Sequence, residues 1–210
     1  RAWEKMKIAD GRVSSELYHE ASELFLKAKE CGGRDKTTLL ACGNSAFCEA
    51  LAHGTRFEAT RESEDFFSAK RYLGSAAGFY LKAGFDDASF WTNATEILFD
   101  AYNYMISAEM ESDPDRKMKG YLLAEKCLER SAGLYETAGY VGKRDEVLRI
   151  LNKVKEKSEF ALSLKELIAV PNDASSTSVI SAPRLTVEEP VGLSKFEHEV
   201  VQANLVVRQR

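Results

Sequence analysis

No run in this 210-residue chain approaches the roughly 18 consecutive apolar residues of a membrane span, and no signal-peptide pattern opens it. It also lacks a glycine-rich phosphate loop, a nucleophile elbow and any zinc-ligand spacing, so the short signatures of common catalysis are missing. Charge of one sign is missing too. The 29 basic and 33 acidic residues are mixed along the chain for a net −4, whereas a nucleic-acid footprint needs Lys and Arg gathered on one face. Cys31, Cys42, Cys48 and Cys127 form no metal-site pair, and on a helix Cys42 and Cys48 lie about 240° apart. Free thiols in a reducing, cytoplasmic setting are expected, with no metal, cofactor, nucleic acid or membrane as partner.

What is present is a repeat. Ala21–Glu30 aligns with Ala76–Phe85 and again with Ser131–Tyr140, at one constant interval. A large apolar residue recurs at Leu24, Phe79 and Leu134, an aromatic at Phe25, Tyr80 and Tyr135, and an alanine at Ala28, Ala83 and Ala138. Self-similarity at a fixed period is the mark of stacked supersecondary units.

Residues 1–168 read as helix, over about 1–31, 36–60, 64–83, 87–111, 114–138 and 141–168, with a break of the first expected at Asp10-Gly11. Stripes such as Phe66, Ala69, Leu73, Ala76, Tyr80, Ala83 and Trp91, Ala94, Leu98, Ala101, Met105, Ala108 have helical spacing. Gly32-Gly33, Gly84 and Gly139 suit left-handed C-terminal caps, and Asp35, Ser63, Asp86 and Asp113 suit N-caps, with Pro114 at the first helical position. The turns are short, so the helices pair antiparallel, giving an all-α fold of three long hairpins. The second helix, rich in small residues from Gly43 to Gly54, is expected to be the most enclosed. A 1–170 helical-repeat domain is followed by a Ser/Thr/Pro-containing linker, 171–191, and a short segment, 192–210. Within that segment Gly192–Gln202 suits a short helix, and Leu205-Val206-Val207 either packs on the helices or begins a further β domain.

Tyr80–Phe85 and Tyr135–Tyr140, each an aromatic followed four residues later by glycine and then by a second aromatic, resemble the end of the first helix of a tetratricopeptide repeat. The wording is also similar to the longer hairpins of soluble NSF-attachment-protein-type α-solenoids. The resemblance implies hairpins stacked as a right-handed superhelix or bundle, and a habit of binding other proteins. The period is 55 rather than about 34, and Arg144 stands where a small residue is expected. No functional residue is carried over.

The expected function is therefore a non-catalytic interaction or scaffold module for a protein or peptide. Arg71 and Lys126, equivalent in the repeat, and Arg130 one turn on are candidates for a groove that takes carboxylates. Tyr102 and Tyr104 are candidates for an aromatic contact with the partner. The alternatives are a small-molecule sensor or enzyme with a pocket near His53, Trp91 and Tyr102, and an oligomerisation module of a longer protein. Glu49 and His53, four apart on one helix face, are candidates for a hydrogen-bonded couple or part of that pocket. Glu16-Leu-Tyr-His19 has a di-iron spacing, but Arg71 and Gly74 stand at the equivalent positions one repeat later, which leaves an exposed polar face as the better account.

Overall fold

The computed structural model describes residues 1–30 and 35–169, and these form seven helices. They are α1 (Ala2–Arg12), α2 (Ser15–Glu30), α3 (Lys36–Thr60), α4 (Ser63–Ala83), α5 (Asp86–Met110), α6 (Pro114–Thr137) and α7 (Val141–Ala169). The Gly32-Gly33 turn, the linker and the C-terminal segment lie outside the described residues. No helix of the described part is long and apolar enough to cross a membrane.

The aromatic-glycine-aromatic wording of the repeat has a local physical cause. Gly84 takes φ 79° and Gly139 φ 81°, left-handed values that cost glycine nothing. The amide of Phe85 then bonds the Tyr80 carbonyl at 2.9 Å and that of Gly84 the Leu81 carbonyl at 3.0 Å. Tyr140 to Tyr135 at 2.8 Å and Gly139 to Glu136 at 2.9 Å repeat the pattern. Each is a Schellman cap, in which crossed bonds satisfy the last carbonyls of a helix and bring two flanking side chains together. Asp113 accepts from the amides of Asp115 and Arg116, and Asp35 from that of Thr38, so both cap as expected.

Three local expectations are corrected. The first helix breaks at Val13, which is left-handed at φ 49°, and Gly11 stays helical. The break falls there because the Ser14 hydroxyl accepts the Leu17 amide and starts a new helix. Ser63 and Asp86 are first helical residues rather than caps, each one position inside the helix; Glu62 and Phe85 precede them without a side-chain bond.

Consecutive helices pack against one another throughout. In addition, α3, α5 and α7 meet on one side. Phe47 lies 4.9 Å from Trp91, Trp91 6.1 Å from Tyr140 at the entry to α7, and Lys157 bonds Glu109. The α3–α4 contact, between two of the expected hairpins, is more extensive than the α4–α5 contact within one. Small residues contribute to this: Ala41 to Cys48 are buried without interruption, and Gly43 lets the Tyr80 ring of α4 reach the α3 backbone.

The repeated aromatics are core residues. Phe25, Tyr80 and Tyr135 are all buried. The Tyr80 hydroxyl donates to Asn44 Oδ1 at 2.9 Å, and the Tyr135 hydroxyl shares a 3.0 Å bond with Thr95 Oγ1 on the helix before it. Phe25 has no hydroxyl and instead meets Trp3 of α1 edge-on at 5.2 Å. The first copy also departs at Ala28, which is exposed, whereas Ala83 and Ala138 are buried.

A Cβ at Gly43 would stand 2.7 Å from Tyr80 Cε1. The ring cannot swing aside without leaving the buried Asn44 carbonyl unsatisfied. Overpacking of about 1–3 kcal/mol therefore outweighs the gain of about 1 kcal/mol in helix propensity that alanine brings. Gly43→Ala is expected to lower stability in urea unfolding, and a raised midpoint would show that α3 and α4 have slack here. Tyr80→Ala and Tyr135→Ala should each cost about 3–5 kcal/mol, as large core truncations do, measured by thermal melts.

Candidate groove between α4, α5 and α6

Beside its core stripe, α5 carries a second row with helical spacing: Phe90, Asn93, Glu96, Ile97 and Asp100. With Arg130 and Leu134 of α6 these residues line an open groove of about 400 Å³. On the α4 side, Lys70 Nζ donates to both oxygens of Asp100, at 2.6 and 2.8 Å. Gly74 of α4 faces Glu96, whose Oε2 stands 3.6 Å from where a Cβ would be. Burial raises the Glu96 pKa, with Asp100 adding to the shift and Lys70 and Arg130 opposing it. Burial likewise raises that of the nearby Cys127 thiol. The groove thus combines apolar walls with two carboxylates and the Arg130 cation, and Asp100 is paired from α4 by Lys70.

The Lys70–Asp100 strut has analogues between other successive helices, though not at equivalent positions of the repeat. His19 Nδ1 lies 2.9 Å from Glu49 Oε1, joining α2 to α3 across the same sequence separation. Between α6 and α7 the partners change sides: Lys155, the repeat equivalent of Asp100, supplies the cation to Glu129 at 3.1 Å. Glu49 therefore bonds across helices and does not pair with His53 on its own.

His53 has other partners. Its Nδ1 lies 2.6 Å from Asp65 Oδ1, Arg56 Nε donates to the same oxygen at 3.1 Å, and the ring stacks on Tyr72 at 5.5 Å. Trp91 is 6% exposed, wedged between Phe47 and Tyr140. Tyr102 and Tyr104 are half-buried and pack against the core rather than standing free as an aromatic patch. Burial, then Glu146, Tyr135 and Glu58, raise the Tyr102 pKa. Near it, Lys143 is 1% exposed and bonds Glu146 at 2.8 Å.

Of the basic candidates, Arg71 is exposed on α4 with its guanidinium 5.2 Å over the Tyr72 ring, and Lys126 is exposed on α6. Arg130 alone lines the groove. Sequence reasoning passed over Glu96, Asp100 and Lys70, although the row Asn93, Glu96, Ile97, Asp100 flanking the α5 core stripe was available as a signal. Among the described residues no group of His, Cys, Asp and Glu could hold a metal ion, and Cys42 and Cys127 are free thiols.

Asp65 generates a prediction. Burial raises its pKa, but the bonds from His53 and Arg56 outweigh it, and the net shift is downward. A lowered folded pKa contributes stability above the unfolded value of about 3.9, and this is lost as pH falls through the folded value. Asp65→Asn should cost about 1–3 kcal/mol near neutral pH, as loss of a charged buried hydrogen-bond partner does. The gap from the parent protein should narrow below about pH 4. A gap that is the same at both pH values in urea unfolding would remove the carboxylate from this account.

Comparison with protein-family models, with curated proteins and with solved structures gave no match for this chain.

Proposed function

We propose that this chain is a non-catalytic interaction module that binds a protein or peptide. The observation that carries the reading is the open groove lined by α5 and α6, whose apolar residues and charged groups lie side by side as in the rim and core of a recognition surface. A second feature supports it. Phe67, 66% exposed, and Leu122 occupy equivalent positions in the repeat, both face solvent, and each stands one turn before a basic residue, Arg71 and Lys126. The repeat thus extends from the core to the surface of α4 and α6. A tetratricopeptide-like superhelix belongs to the same proposal and accords with the Schellman-capped turns and consecutive packing.

The sensor or enzyme alternative draws less support. His53 is taken up by Asp65 and Tyr72, and the Trp91 ring packs between Phe47 and Tyr140, although its buried Nε1 has no hydrogen-bond partner among the described residues.

Capture from a lysate tests the reading. The purified chain is expected to retain a protein, less of it as salt rises, because exposed charges are screened. Joint reversal of Arg71, Lys126 and Arg130 to glutamate should weaken retention while shifting stability by only about 0.5 kcal/mol per site. Unchanged retention removes the basic residues but leaves the module; a co-purified small molecule contacted by His53 or Trp91 moves the assignment to the sensor class.

A further inference from the structure

The groove lined by α5 and α6 is flanked by α4, which bonds Asp100 through Lys70. Gly74 and Gly78 are four positions apart and share a helix face. Lys70 meets Asp100 and Gly74 meets Glu96, and Gly78 follows one turn further along α4. Glycine weakens a helix interior relative to alanine. At Gly43 and Gly120 packing explains it, since an added Cβ would stand 2.7 Å from Tyr80 and 2.8 Å from Ala108. At Gly78 an added Cβ would meet nothing within 4 Å, and at Gly74 only the Glu96 carboxylate at an ordinary contact distance. The fold does not need either glycine to be small.

The charges of the groove are also incompletely matched. Glu96 is half-buried and makes no hydrogen bond or ion pair with any described residue. The cation beside it, Lys70, is held by both oxygens of Asp100. Arg130 on the opposite wall forms no ion pair among the described residues either. A half-buried carboxylate without a donor favours a ligand that supplies one, and Phe90, Ile97 and Leu134 favour an apolar companion.

We propose that the groove receives an amphipathic segment of a partner protein whose Lys or Arg side chain passes over Gly74 and Gly78 to bond Glu96, while its apolar residues cover Phe90, Ile97 and Leu134. This rests on the interaction reading above and names the chemistry of the partner. An acidic group following the cation in that segment meets Arg130.

The test is an amide chemical-shift titration of the whole chain with a capped amphipathic peptide, long enough to form a helix, bearing a leucine face and one central arginine. A norleucine analogue serves as control. The arginine peptide is expected to shift the amides of Phe90, Asn93, Glu96 and Ile97 and to bind about tenfold tighter than the analogue. Glu96→Gln should remove that difference. Gly78→Leu should abolish binding of both peptides with a thermal midpoint no lower than that of the parent. Equal binding of the two peptides overturns the role of Glu96 and leaves the interaction module standing. Shifts confined to other faces, or none, overturn the groove as the docking site, and the lysate capture then decides separately whether the chain binds proteins at all. A lowered midpoint in Gly78→Leu shows that the glycine serves the fold and overturns that part of the proposal.

Discussion

The structure depends on how closely α4 can approach α3. From Ala41 to Cys48 every residue of α3 is buried, and the Tyr80 ring lies over Gly43, where an added Cβ would stand 2.7 Å from it. Such an approach places the phenol hydroxyl inside the protein, where it must find an acceptor, and Asn44 on the next residue of α3 supplies it. The same solution recurs with Tyr135 and Thr95 one repeat later. Because the two tyrosines also sit at the C3 position of the Schellman caps, one residue type fixes both the depth of the helix and the place where it ends. That double role accounts for the repeat being clearest at this point of the sequence.

Away from the core, several successive helices are tied by polar side-chain pairs whose identity and position both vary along the chain. His19–Glu49, Lys70–Asp100 and Lys155–Glu129 all link successive helices, and the last reverses which helix brings the cation. Half-exposed ion pairs contribute little to stability, so nothing compels a fixed order of signs. The order of signs, and the exact positions, are free to change from copy to copy. Glu96 and Arg130, which line the groove, differ from these struts in making no ion pair among the described residues.

Much of the fold was legible because its determinants are local. Glycine at a left-handed turn, Asp before a first turn and an apolar stripe every three or four residues can all be read without knowing the neighbours, and α3 to α7 follow them closely. The misplacements were of one kind. At Val13 the chain accepted a left-handed non-glycine residue because Ser14 caps the next helix, and at Ser63 and Asp86 a good capping residue fell one position inside. The candidate site was less legible. Glu49 and His53 share a helix face, yet each bonds a different helix, and the register between helices decides that. Tyr102 and Tyr104 are half-buried against the core, a placement that aromatics on several sides of one helix do not reveal in sequence.

The glycines of the repeat separate these two kinds of information. Gly84 and Gly139 are demanded by backbone angle, and Gly43 and Gly120 by the nearness of another helix. Each of these roles is discharged within a single turn or a single helix contact. Gly78 has neither a positive φ nor a neighbour at Cβ distance, and Gly133, its equivalent in the next copy, is in the same condition. A helix interior ranks glycine below every residue but proline, so propensity alone works against both positions. Inside the fold no contact offsets that cost at either site. What remains is the surface they leave bare, on the same two helices that carry the exposed Phe67 and Leu122, and a bare helix face lets another backbone come closer than any side chain allows.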